Sequence, residues 1–145
     1  MDFYIMQKGG LDFIDCFEQL ETASNCKDIL LRAFDCIHEL HLFGYCHNDV
    51  KPENFVTDLS TTFLIDYGFV SPIVTPYPKI NTTQLVCGTP QYQSINSHAD
   101  AYPKPADDFE SLLYTTIYLI TGTLPWQKTK SDAIILKSKQ TYVKQ

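Results

Sequence analysis

At 145 residues, with a net charge of −6 and a pI near 5.0, the chain has the size of one compact domain and lacks the basic balance of a nucleic-acid binder. Its apolar share of 44% and aromatic share of 13% suit a packed core and exclude an intrinsically disordered chain. The charge is uneven. Residues 127–145 carry Lys128, Lys130, Lys137, Lys139 and Lys144 against Asp132, a local +4 that leaves −10 on the other 126 residues. This basic tail reads as a solvated helix face, with contact to an acidic partner as the alternative.

The five cysteines are an odd set. Cys16, Cys26, Cys36 and Cys46 recur every ten residues, which fits no zinc spacing. They read as reduced, mostly buried thiols of an intracellular protein, in cytoplasm or nucleus. The start MDFYIMQKGG has no signal-peptide pattern, so the sequon at Asn81 carries no weight. The longest apolar run, LLYTTIYLI at 112–120, is too short to span a bilayer and reads as buried helix, so no membrane partner is expected.

In chain order, FYIM (3–6) reads as the end of a buried strand, broken by KGG (8–10). LDFIDCFEQL (11–20) runs at helical spacing. Asn25, with Asp28 three residues on, predicts the start of a longer helix. Ile29, Leu30, Ala33, Phe34, Ile37 and Leu40 form its apolar stripe, and Gly44 is placed to end it in a left-handed conformation. NFVT (54–57) and TFLID (62–66) predict two short strands joined around DLS. From Tyr67 to His98 some thirty residues show little periodicity, and a loop that long in a compact domain is functional or disordered.

Helical periodicity returns at ADDFESLLYTTIYLITG (106–122). Asp107 and Glu110 resemble a capping box, while Gly122 and Pro125 stop the helix. The apolar run predicts the most buried element of the fold, with Leu112, Leu113, Ile117 and Leu119 inside. Ser131 is placed to cap a last helix, DAIILKSK. There is no internal repeat or interdomain linker.

The stretch YCHNDVKPENF (45–55) crowds Asp49, Lys51, Glu53 and Asn54 around Pro52. HNDVKPEN fits the His-x-Asp-x-x-x-x-Asn pattern of a protein-kinase catalytic loop, and DYG at 66–68, twelve residues past Asn54, fits Asp-Phe-Gly. Phosphoryl transfer needs Mg²⁺, which takes hard oxygen ligands. An Asn and an Asp on adjacent strand ends supply them. A second Asp must face the incoming hydroxyl, and a Lys beside it steadies charge on the transferred group. Each piece alone reads as an ordinary solvated loop residue, or for His47 as a packed histidine. Their order and spacing together carry the signal.

GTPQYQSINSH (88–98), DDFESLLY (107–114) and TGTLPW (121–126) follow. The chain resembles the casein kinase I family of serine/threonine protein kinases, with the vaccinia-related kinases second, from about Tyr4 onward. The resemblance implies a mainly α (α+β) fold, a kinase C-terminal lobe with small β-hairpins and without the N-terminal lobe. It implies ATP and Mg²⁺ as cofactors and a protein substrate or partner kinase. It assigns Asp49 as catalytic base, Lys51 to the transferred phosphoryl, Asn54 and Asp66 to Mg²⁺, and Thr89 as a bridge to Asp49 and Lys51. Asp108 would tie the central helix to the catalytic-loop backbone, a simple helix cap being the alternative. Met6, Gln7 and Lys8 would form the hinge beside the adenine. Asp49, Asn54 and Asp66 are expected to converge on one cleft.

The departures are equally specific. With Met1 at the hinge, the glycine-rich loop, strand Lys and helix Glu of a kinase have no counterpart in these 145 residues. The chain stops soon after LPW, where family members continue through further helices. Asn48 replaces the Arg that would bind an activation-loop phosphate. TTQLV, Gln91 and KPA stand where basic residues would select acidic substrates. Three readings follow: a truncated serine/threonine kinase domain spanning 1–145, a catalytically inactive kinase-derived module that binds kinases or their substrates, and an unproductive gene fragment. The apolar face near FYIM would favour self-association.

Overall fold

The computed structural model describes residues 10–19, 23–58, 60–75, 88–99 and 101–144, without the side chains of 23–25. The FYIM strand and the hinge residues Met6, Gln7 and Lys8 lie outside these residues.

Strand β1, Leu11–Asp12, runs directly into helix α1, Phe13–Gln19. The Asp12 carboxylate accepts the Asp15 N–H at 2.9 Å, which caps a helix that starts two residues later than its periodicity suggested. Helix α2, Ala23–Leu42, begins before Asn25, so Asn25 lies in the first turn rather than at the cap. Its buried stripe is Ile29, Ala33 and Ile37, flanked by half-buried Leu30, Cys36 and Leu40; Phe34, expected in that stripe, lies exposed at its edge, stacked on Phe109. Gly44 closes the helix at φ +87°, as placed.

Strand β2, Tyr45–Cys46, pairs antiparallel with β5, Ser71–Pro72. Strand β3, Phe55–Thr57, pairs with β4, Thr62–Leu64, and on its other edge with β1. Asn54, expected at the head of β3, belongs instead to a 3₁₀ turn, Pro52–Asn54, because Pro52 favours a helical first position. A second 3₁₀ turn covers Tyr67–Phe69.

Helices α3, Ile95–His98, α4, Pro105–Thr121, and α5, Asp132–Tyr142, complete the fold. It is mainly helical with small antiparallel sheets, as the sequence suggested. One core gathers α1, α2, β3, β4 and α4 around Phe13, Ile37, Phe55 and Leu112. A second joins α4 to α5 through Tyr92, Tyr114, Leu124, Trp126 and Ile135.

Helix α4 corrects two expectations. Asp107 sits in the first turn, where its carboxylate accepts the Lys104 N–H at 2.8 Å; Glu110 binds the Ile95 N–H and the Tyr114 hydroxyl instead of completing a box. Leu112 is buried and Ile117 and Leu119 half-buried, but Leu113 is 53% and Ile120 67% exposed. The helix packs on α2 along one face and on the Trp126 cluster along another, so its continuous apolar run shows a third face outward. Leu112, Leu119 and Ile120 of this helix join Phe17, Leu30, Leu31 and Phe34 in lining an apolar groove of about 630 Å³. The basic tail holds a further correction: Lys139 is fully buried on α5 rather than solvated.

Candidate active site

The site begins where β2 ends. Asn48 sits at φ +69°, a left-handed conformation that Asn tolerates better than most residues. Its amide donates to the Phe69 carbonyl at 2.6 Å and to Ser71 Oγ at 2.9 Å. The sequence marks Asn48 only as a lost cation. The φ preference of Asn was the available signal for its positive role, which is to staple the catalytic loop to the segment after DYG.

Asp108, at the start of α4, grips the same loop from below. Its carboxylate accepts the backbone N–H groups of His47 and Asn48, each at 2.8 Å, and meets His41 Nε2 at 2.8 Å. Such bonds to a buried carboxylate are among the stronger ones. His47 is buried, with Nε2 on the Ile65 carbonyl at 3.1 Å. Burial pulls its pKa below the ordinary value, against the pull of Asp108, the Ile65 carbonyl, Asp49 and Asp66, and favours the neutral ring at pH 7. Cys46 lies beside Asp108 and His41, and burial pushes its thiol up to about 12, so without a metal it stays protonated at neutral pH.

The loop then presents Asp49, 4% exposed. Its Oδ1 accepts the Thr89 N–H at 2.8 Å and the Thr89 hydroxyl at 2.9 Å. Its Oδ2 accepts Lys51 Nζ at 2.8 Å and the Asn54 amide at 3.1 Å. Lys51 Nζ also donates to Thr89 Oγ1 at 3.1 Å, and the Asn54 amide to the Asp49 carbonyl at 2.8 Å. Burial alone would raise the Asp49 carboxyl. The bonds from Lys51 and Thr89, with the Lys51 charge, outweigh it and hold the group below the usual range. Gly88 makes the approach of Thr89 possible: at φ +95° it lies so close to the loop that a Cβ would stand 2.5 Å from the Asn48 carbonyl.

Asp66 joins through the backbone. The Ile65 N–H donates to the Asn54 carbonyl at 2.9 Å, which sets Asp66 one residue beyond the turn that carries Asn54. Asp66 is exposed, at φ +63°, and its Oδ1 accepts its own Gly68 N–H at 3.3 Å. The structure therefore brings Asp49, Lys51, Asn54 and Thr89 into direct contact and places Asp66 alongside, with its carboxylate folded onto its own turn. The donor set suits Mg²⁺: the Asn54 amide nitrogen is committed to Asp49, leaving its oxygen, and Asp66 adds an exposed carboxylate.

The protein kinase domain family matches residues 3–144. The chain is 31% identical over 136 residues to a probable casein kinase I homolog of Encephalitozoon cuniculi, covering 88% of this chain and 45% of that protein. It is 33% identical, over a 151-residue alignment, to a casein kinase 1-like protein of Oryza sativa subsp. japonica, covering 90% of this chain and 21% of that one. A probable serine/threonine-protein kinase of Dictyostelium discoideum is 34% identical over 121 residues, covering 78% and 24%. The chain thus spans less than half the length of these relatives. With a family match from residue 3 to residue 144 and casein kinase I relatives along most of its length, the chain belongs to the protein kinase domain family and is of the casein kinase I-like kind.

Proposed function

We propose that this chain carries the catalytic and metal-binding residues of a serine/threonine protein kinase that transfers the γ-phosphoryl of ATP to protein hydroxyls. The observation that carries the reading is the convergence of Lys51, Asn54 and Thr89 on one buried carboxylate, Asp49. Asp49 orients the substrate hydroxyl and takes its proton; being held ionised at neutral pH, it is ready to accept it. All four acceptor directions of its carboxylate are in use, so an incoming hydroxyl must displace one donor. Lys51, on a flexible stem and less buried than Asp49, is the donor that moves, and it then meets the transferred phosphoryl. Thr89 keeps the carboxylate aimed meanwhile. Asn54 and Asp66 would hold Mg²⁺, which when bound neutralises phosphate charge.

Met6, Gln7 and Lys8 remain the proposed adenine hinge. The four described cysteines are free thiols, which supports an intracellular setting. A second reading, a kinase-derived module that engages other kinases or their substrates without catalysis, draws on the exposed apolar groove over α1, α2 and α4.

The deciding assay incubates the purified 145-residue chain with labelled ATP, Mg²⁺ and a generic acidic protein, beside Asp49→Asn and Asp66→Ala. The kinase reading predicts weak transfer at most, lost in both variants. Transfer that survives both variants would refute it. No transfer, together with tight binding to an intact kinase, would put the module reading first.

A further inference from the structure

Lys139 has no exposed surface. A lysine buried this fully needs partners for three N–H donors. It has three: the Pro90 carbonyl at 2.8 Å, the Gln93 carbonyl at 2.5 Å and His98 Nε2 at 3.1 Å. The ammonium also lies 4.8 Å from the ring centre of Tyr114 and 5.4 Å from that of Trp126, a distance at which the ring faces attract a cation. Three donors meeting three acceptors is a site shaped for an ammonium. It requires His98 to be neutral with its proton on Nδ1, so that Nε2 accepts from Lys139 rather than donating to the Pro90 carbonyl, which lies 3.1 Å from the same nitrogen. Burial and the Lys139 charge both lower the His98 pKa, in keeping with that role.

The two carbonyl acceptors lie in one segment. The N–H groups of Tyr92 and Gln93 both bond back to the Thr89 carbonyl, at 2.9 and 3.0 Å. Thr89 in turn gives its own N–H and hydroxyl to Asp49. A continuous run of hydrogen bonds thus leads from α5 through the 89–93 turn to the carboxylate.

We propose that Lys139 is a positioning residue for the phosphoryl-transfer site: from α5 its ammonium fixes the Pro90–Gln93 turn, and that turn holds Thr89 on Asp49. The proposal rests on the roles given above to Asp49 and Thr89. The titratable groups facing Lys139 are His98 on α3, Glu110 and Tyr114 on α4, and Asp132 on its own helix. Burial pulls Lys139 down to about 7, against the carboxylates of Glu110 and Asp132. Loss of its proton leaves two donors for three acceptors and converts charge-assisted bonds into neutral ones about half as strong. The turn then loosens, and Thr89 with it.

The test is NMR on the full 145-residue chain without nucleotide or substrate, so it is independent of catalysis. The Lys139 side-chain, Thr89 amide and Asp49 carboxyl resonances are followed from pH 5 to 10. The Thr89 and Asp49 signals are expected to share a step with the midpoint of Lys139. The His98 ring, whose pKa is lowered from 6.5, reports its own step separately below that value. In Lys139→Met the shared step disappears, and exchange of the Thr89, Tyr92 and Gln93 amides quickens at least tenfold while α2 amides stay protected. A folded Lys139→Met chain in which those three amides exchange as slowly as before would overturn the proposal. If the variant does not fold, the wild-type titration decides: a Thr89 amide with no step at the Lys139 midpoint, or none across the whole range, overturns it. Either failure leaves the kinase reading standing, since that reading is judged by transfer and by metal binding.

Discussion

The Asp108 carboxylate accepts the backbone N–H of His47 at 2.8 Å across 61 residues of sequence. With the Asn48 N–H on its other oxygen, this one side chain fixes the loop that presents Asp49. Asp108→Ala leaves two backbone donors unpaired, at about 1–3 kcal/mol for each that is buried. Urea unfolding of the variant is expected to show a loss of roughly 2–5 kcal/mol. A loss below about 0.5 kcal/mol, the range of a plain surface change, would show that the loop holds itself.

Asp49 is held below its ordinary value of 3.8, and Lys51 and Thr89 are the groups that overcome burial. A carboxyl depressed on folding contributes stability above its unfolded pKa, and that contribution is lost as pH falls through the folded value. Acid unfolding below pH 3.8 should therefore be less steep in Asp49→Asn than in the wild type. In Lys51→Met, ¹³C titration should find the Asp49 carboxyl shifted upward. An unmoved carboxyl would remove Lys51 from the account.

Gly88 is required twice over, by φ +95° and by the 2.5 Å its Cβ would leave to the Asn48 carbonyl. Gly88→Ala is expected to cost at least about 2 kcal/mol, since left-handed backbone alone costs an L-residue about 1–2 kcal/mol. The Thr89 N–H should also lose its protection in hydrogen exchange. Retained protection would mean that Thr89 does not depend on this approach.

Neighbouring leucines on α4 should behave oppositely. Leu112 is buried in the main core, whereas Leu113 is 53% exposed. Leu112→Ala is expected to cost about 2–5 kcal/mol and Leu113→Ala less than about 0.5 kcal/mol. Similar losses in thermal or urea unfolding would indicate that the face bearing Leu113 is covered in solution.

The catalytic loop was legible because its residue types recur at a spacing that the chemistry demands, and the helices because their apolar periodicity is strong. The local details were not. Pro52 drew Asn54 into a 3₁₀ turn, and an apolar run as continuous as 112–120 carries no periodicity to mark Leu113 as outward-facing. Lys139 was hidden for a different reason. A lysine in a basic tail looks solvated, and the carbonyls of Pro90 and Gln93 that bury it are backbone groups some fifty residues away, which no side-chain pattern reveals. Asn48 stood out only as the absence of Arg, yet its two short bonds to Phe69 and Ser71 order the same segment by other means.

The central claim is that Asp49, Asn54 and Asp66 form one metal-dependent phosphoryl-transfer centre, and Mn²⁺ substituted for Mg²⁺ tests it most directly. Paramagnetic broadening in the NMR spectrum of the 145-residue chain reports which residues lie beside the ion, whatever the catalytic rate. The account predicts that substoichiometric Mn²⁺ broadens the Asn54 side-chain amide and the Asp66 and Gly68 backbone signals first. It also predicts that Asp66→Ala abolishes this pattern while the Thr89–Asp49 contact persists. Broadening spread over the acidic surface, unchanged in Asp66→Ala and sparing Asn54, would contradict the claim.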